Sequence, residues 1–250
     1  MDRSVGKRTK PFPSTMLYPA AFLCFFVGAV IVTKAKAGLI DYEPFDYSGA
    51  ALNGQNGGEG WSGGWFITSS TDNRLSDDGV SLSYPVGFEA PLATPSTAGS
   101  RVGTGGLSAN ASSSRLLSQT IPLNVDGTVR YASALIRKNA ANGGGVNNDN
   151  ILLEFVDSSG NRRWGVGIEG NGDKPWLNAN GSTTPAGPAV TPGDTYFLVA
   201  KIVSSASGTD TGYLKVFGTG YSNEVPITEP TTWDAMQTET TGAILDRIRI

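Results

Sequence analysis

ILLEFVDSSGNRRWGVGIE, residues 151–169, is the stretch whose reading decides the fold. In its first run Ile151, Leu153 and Phe155 alternate with Leu152, Glu154 and Val156. That period of two puts the first three side chains on one face of a strand. Trp164, Val166 and Ile168 repeat the pattern in the second run. The Gly- and Asn-containing DSSGN between the runs is turn chemistry, so the two form an antiparallel hairpin. TYFLVAKIV and YLKVF, residues 195–203 and 213–217, suggest a second such pair joined through SSASGTDTG. Tyr196, Leu198 and Ile202 there alternate with Phe197, Val199 and the stem of Lys201.

The same texture runs outward from these hairpins. Short runs rich in Val, Ile, Leu, Tyr and Phe alternate with Gly, Asn, Asp, Ser and Pro clusters, and helical periodicity is nearly absent. Candidate strands are Ile40–Phe45, Val80–Tyr84, Arg115–Ile121, Thr128–Arg137, Ile151–Val156, Arg163–Ile168, Tyr196–Val203, Gly212–Phe217 and Ile244–Ile250. Asn142–Asn150 and Asn178–Pro192 read as turn-rich loops, and Thr228–Asp234 as the one place for a short helical turn. An all-β chain of this kind folds as two stacked antiparallel sheets or as a closed barrel.

The N-terminus belongs to another class. Arg3, Lys7, Arg8 and Lys10 precede an uncharged apolar run from Met16 to Val32. Ala35-Lys36-Ala37 then supplies the small-x-small pattern of a cleavage site, with Gly38 as the new N-terminus. Residues 1–37 therefore read as a Sec-type signal peptide, with an uncleaved membrane anchor as the alternative. Residues 38–250 are expected to be the β-sandwich domain. Removing the six Lys/Arg and one Asp of residues 1–37 from the chain's 19 and 22 leaves 13 against 21, a net charge of −8.

This composition excludes several function classes. The chain contains no histidine, and its one cysteine, Cys24, lies in the signal. Disulfides, thiol chemistry and the Ser-His and Cys-His hydrolases are therefore excluded from the exported domain. An acidic domain lacks the basic stripe that nucleic acid requires. Transition metals, which lean on imidazole and thiolate, are poorly served, and calcium on oxygen ligands is the one cofactor left open. Its candidate loops hold Asp149, Asp157 and Asp173, with Asp72, Asp77 and Asp78 as further carboxylates. The competing reading makes all of these solvated turn residues.

LNGQNGGEGWSGGWF, residues 52–66, contains Gly58, Gly60 and Gly63 in the spacing G-x-G-x-x-G. A dinucleotide turn must leave a strand and open a helix whose amides hold the pyrophosphate. Here coil precedes and a strand-like Gly64-Trp65-Phe66-Ile67-Thr68 follows, so no nucleotide is expected. The glycines instead let a long loop lie flat, with Trp61 and Trp65 as its structural anchors. Sugar stacking by that pair is the weaker alternative.

No catalytic residue is assigned. Glycosidase carboxylates on one strand need spacings of two or four to share a face. Glu154 and Asp157 are three apart, and Glu169 has no acidic neighbour at the needed step. Trp176 in GNGDKPWLNANG, with Asn171, Asp173 and Asn178 around it, is the candidate glycan contact, since sugars present both C–H faces and hydroxyls. Trp164 and Trp233 read as core and loop packing.

The order of the motifs EPFDYSGAALNGQNGGEGWSGGW, GVSLSYPV, RVGTGG, VRYASALIR, TYFLVAKI and LDRIRI resembles a group of exported bacterial proteins. That group carries a concanavalin A-like (LamG-like) jelly-roll domain, and many members end in a PEP-CTERM sorting tail. The resemblance covers residues 40–250 and implies a jelly-roll sandwich with a secreted or cell-envelope address. No such tail follows Ile250, so a truncated last strand is expected. The function expected is a non-catalytic binding or structural role at the cell surface or extracellular matrix. A lectin-like carbohydrate-binding module is the alternative, and a glycoside hydrolase or lyase with unfamiliar residues is the third reading. Partners would be extracellular polysaccharide or cell-surface components, and membrane contact would come only through the signal or a missing tail.

Overall fold

A computed structural model describes residues 41–47, 51–68, 76–77, 81–88, 102–103, 112–138, 150–206, 208–226, 228–240 and 242–250. Contacts group Leu39–Ile250 as one compact unit, distinct from Met1–Gly38. Ala35, Ala37 and Gly38, the expected cleavage site, lie outside the described residues, as does Asp149.

Thirteen strands and no helix occur among the described residues. They are β1 (Phe66–Ile67), β2 (Ser76–Asp77), β3 (Val102–Gly103), β4 (Ser113–Pro122), β5 (Val129–Arg137), β6 (Ile151–Asp157), β7 (Arg162–Ile168), β8 (Pro175–Ala179), β9 (Ser182–Pro185), β10 (Thr195–Val203), β11 (Asp210–Phe217), β12 (Ala235–Glu239) and β13 (Ile244–Arg249). One sheet runs β1-β4-β13-β6-β7-β8-β9 and a second runs β12-β11-β10-β5, with β2-β3 as a small ribbon. Their strand pairs are antiparallel. The fold is a two-sheet β-sandwich.

One hydrophobic core lies between the sheets. Phe155, Trp164, Val166, Ile168, Leu177 and Ala179 reach it from the larger sheet. Tyr196, Leu198, Ala200, Ile202, Leu214 and Val216 reach it from the smaller one. The alternation read in both hairpins is thus the division between core and outer face. The two sheets meet tightly where the Trp164 ring lies against Gly212, leaving no room for a Cβ there. The outer face of the smaller sheet is partly covered by residues 81–88. Tyr84 and Phe88 stack at 4.7 Å, and both meet Phe197 edge-on at 5.4 Å.

Several elements differ from expectation. Among the described residues of Ile40–Phe45, Tyr42 alone makes a β-bridge, an isolated one with Glu59. The described part of Val80–Tyr84 belongs to no named strand, and its Tyr84 ring packs edge-on against Phe197. The loop read at Asn178–Pro192 contains the end of β8 and all of β9. Thr228–Asp234 forms no helical turn. Its side chains lie against β11 instead, with Asp234 accepting the Val216 N–H at 2.7 Å and Trp233 resting on Tyr213 at 5.3 Å.

Candidate functional site

The glycine-rich stretch folds as a loop against β4. Its backbone bonds include Ser62 N–H to the Leu116 carbonyl at 3.0 Å and Ser118 N–H to the Gly60 carbonyl at 2.9 Å. Gly58, Gly60 and Gly63 all have positive φ, at 70°, 81° and 99°. Gly58 is needed for a second reason, since a Cβ there would collide with the Tyr42 carbonyl oxygen. The stretch runs into β1 and opens no helix.

Trp61 and Trp65 do pack together, with ring centroids 6.4 Å apart. Trp65 is buried and donates its indole N–H to Glu43 Oε2 at 3.0 Å, while half-buried Trp61 donates to the Tyr42 carbonyl at 3.0 Å. The hub beneath them is Arg115, a residue that no motif in the sequence marks out. It is 0% exposed and pairs with Glu43, whose side chain is also buried. Its guanidinium further donates to the Tyr47 hydroxyl at 3.1 Å, the Gly63 carbonyl at 2.9 Å and Asn56 Oδ1 at 2.6 Å. It also sits 5.0 Å from the Trp61 ring and 5.9 Å from the Trp65 ring, a cation–π arrangement on both. The loop is therefore pinned by an ion pair wrapped in aromatics.

Burial shapes the neighbouring titrations. The Tyr47 hydroxyl is pushed up to about 12 by burial and by its bond to Glu43, so it stays a donor. Burial raises Asp41 from 3.8 to about 6, against the opposing pull of the Ser118 backbone and Arg115. Asp41 Oδ1 is buried without a hydrogen-bond partner.

Trp176 is placed otherwise than its turn-rich context suggests. It lies in β8 and is 4% exposed. Leu177 and Ala179 take the core face, so Trp176 and Asn178 project on the outer face of the larger sheet. Their cross-strand neighbours are Gly167 and Gly165, which leave bare backbone to pack against. Asn178 Oδ1 accepts from Gly181 N–H at 3.1 Å, while its Nδ2 and the Trp176 indole nitrogen have no acceptor. The ring is not an open stacking platform. Asn171 is exposed in the preceding bend, and Asp173 turns away to another partner.

That partner is buried Lys138. Its ammonium donates to Asp173, to the Glu169 carbonyl at 3.2 Å and to the Gly170 carbonyl at 3.1 Å. A lysine thus stands among the oxygens that a bound cation would need. Asp157 is likewise engaged. Its Oδ1 accepts from Ser159 N–H and Asn161 N–H, both at 2.9 Å, and Oδ2 meets Arg163 at 2.7 Å. Burial opposes its ionisation, but these bonds and Arg163 together hold its carboxyl below the usual range. No group of three or more metal-ligating side chains occurs among the described residues. Glu154 is clasped by Arg162 at 2.8 Å and by Arg249 from β13.

A partly exposed aromatic row lies on the outer face of the smaller sheet. Tyr131, Lys201, Tyr213 and Met236 stand in one row across β5, β10, β11 and β12. Tyr131 is 52% and Met236 59% exposed, and Tyr213 and Trp233 are half-buried. Glu229 accepts from the Tyr131 hydroxyl at 3.1 Å and pairs with Lys201, whose Nζ lies 5.3 Å from the Tyr213 centroid. The Lys201 bond is the main cause that holds Glu229 below the usual carboxylate range.

No known protein family, curated protein or solved structure matches the chain.

Proposed function

We propose that this chain is an exported, non-catalytic β-sandwich with a binding or structural role at the cell surface or in the extracellular matrix. The observation that supports the reading is the engagement of three buried carboxylates, among them Glu154 and Asp157, the pair nearest to a hydrolase spacing. Glu43 is held by Arg115, Glu154 by Arg162 and Arg249, and Asp157 by Arg163. Acid–base hydrolysis of a glycosidic bond needs two carboxyl groups flanking one bond, one of them able to hold a proton at neutral pH. Carboxylate oxygens occupied by guanidinium groups are not free to flank such a bond. The signal-like N-terminus and the resemblance to exported jelly-roll proteins supply the address.

Two measurements test it. The full chain, expressed in a secretion-competent bacterium, should be recovered outside the cytoplasm with Gly38 as its N-terminal residue. Retention in the cytoplasm with residues 1–37 intact would remove the export half. Incubation with polysaccharides should release no reducing ends or unsaturated products. Turnover abolished by Glu154→Gln would make the domain an enzyme.

A carbohydrate-binding module is the narrower form of this reading, favoured by the aromatic row on the smaller sheet.

A further inference from the structure

Lys138 follows directly on β5 and carries its ammonium into the turn between β7 and β8, with 2% of its side chain exposed. A lysine is seldom buried to that degree, because its charge must then be compensated inside the protein. Asp173 and the Glu169 and Gly170 carbonyls do this, so each of the three ammonium N–H groups is engaged. One short segment holds both partners in place. Gly193 N–H donates to the Lys138 carbonyl and Val190 N–H to the Asp173 carbonyl, both at 2.7 Å. Asp173 is kept in the left-handed region, at φ 55°, which residues other than glycine rarely adopt.

We infer that Lys138 and Asp173 form an intramolecular isopeptide bond, an amide between Nζ and Cγ that ties the edge of the smaller sheet to the larger one. The ion pair is the state before that bond. No internal disulfide could tie the sheets instead, since Cys24 is the chain's one cysteine. The bond forms whatever the domain goes on to bind.

The step balances within the pair. The N–H that faces Asp173 passes its proton to the carboxylate, while the other two stay with the Glu169 and Gly170 carbonyls. The lone pair left on Nζ then points at the carboxyl group, and a small turn of the Asp173 side chain brings Cγ into line. The Nζ–Cγ bond forms and one Cγ–O bond breaks. That oxygen leaves as water, with two of the ammonium's three protons, and no co-reactant is consumed. Glu169 is the group that carries the second proton. Its carboxylate folds over Gly172, the residue before Asp173, where an added Cβ would meet Oε1 at 3.3 Å.

In water an amide competes poorly with a separate amine and acid. Holding the two groups in contact gives them an effective concentration of about 10⁵–10⁸ M, which reverses that balance. The product also replaces a buried ion pair, whose desolvation is costly, by a neutral amide. Asp173, with 32% of its side chain exposed, leaves the departing water a way out. The other ion pairs lack these features. Arg115 cannot react with Glu43, because a guanidinium keeps its proton in proteins. Lys201 and Lys215 lie nearer water, and among the described residues each donates to a carboxylate alone, with no carbonyls to orient the amine.

The test is intact-mass spectrometry of the purified protein, denatured after it has folded. The mass should lie about 18 Da, one water, below that of the sequence from its own N-terminus. Digestion should yield one branched peptide that joins Lys138 to Asp173. Lys138→Arg and Asp173→Ala should each restore the full mass, the arginine keeping the charge without a nucleophilic amine. Glu169→Gln should delay the mass loss after refolding about a hundredfold, and the parent's rate in that variant would strike Glu169 from the step. Full mass in the parent, however long it is kept folded, overturns the inference and requires no variant to fold. So does a loss of water that persists in Lys138→Arg or maps to another site, such as Asp126-Gly127.

Discussion

Replacing Arg115 by alanine would strip the glycine-rich loop of its hub. Arg115 is fully buried, and its partner Glu43 is nearly so, with 6% of its side chain exposed. Breaking a buried pair by removing one member costs about 3–5 kcal/mol, because the survivor is left as an uncompensated charge. Glu43 would keep three donors: Tyr47 hydroxyl at 2.7 Å, Trp65 indole at 3.0 Å and the Phe45 amide at 2.8 Å. The Gly63 carbonyl belongs to an exposed residue and would regain water. Those features place the loss toward the lower end, about 3–4 kcal/mol. A domain of ordinary stability has only about 5–15 kcal/mol in all. In a urea titration at pH 7, with a slope of about 2–3 kcal/mol/M, the midpoint should fall by about 1–2 M. The paired change Arg115→Met with Glu43→Leu should recover most of that loss, since a buried ion pair can be exchanged for apolar packing at little cost. A loss below about 1 kcal/mol for Arg115→Ala, the range of an exposed pair, would refute the hub.

Gly58→Ala should destabilise by at least about 2 kcal/mol, combining left-handed backbone with the collision at Tyr42. Gly63→Ala, where a Cβ meets nothing within 4 Å, should cost only the backbone term of about 1–2 kcal/mol, as denaturant midpoints would record. Asp41 titrates near 6 in the fold against 3.8 unfolded, so its protonated form stabilises the native state. That contribution is complete below about pH 4 and is lost as pH rises through about 6. Asp41→Asn should then match the parent in thermal melts at pH 4 and exceed it at pH 7, and a gap that widens toward acid would refute the assignment. Because Lys138 and Arg163 already neutralise Asp173 and Asp157, millimolar calcium or a chelator should leave the melting temperature unchanged, and a calcium-dependent rise would overturn that account.

Local features of this fold were legible, and long-range ones were not. The hairpin of β6 and β7 and that of β10 and β11 could be read because each is bounded by its own turn and alternates strictly. Trp176 misled because GNGDKPWLNANG is rich in turn residues, yet β8 runs through its middle, packed beside the glycines of β7. Arg115 carried a signal. It lies at even spacing from Leu117 and Ile121 and so belongs to a core-facing row, where a guanidinium demands an acid. That acid lies 72 residues away, a separation that spacing rules cannot bridge. The aromatic row was hidden for the same reason. Tyr131, Tyr213 and Met236 become neighbours only through strand order.

The place of β13 between β4 and β6 has a kinetic meaning. A chain that emerges N-terminus first makes β4 early and the β6–β7 hairpin later, yet neither group can join the other until residues 244–249 arrive. Until then both β4 and β6 present raw edges, which pair readily with foreign strands. Completion of the larger sheet is therefore a late event that waits for nearly the whole sequence. Rapid insertion of that last strand is what closes both edges against aggregation.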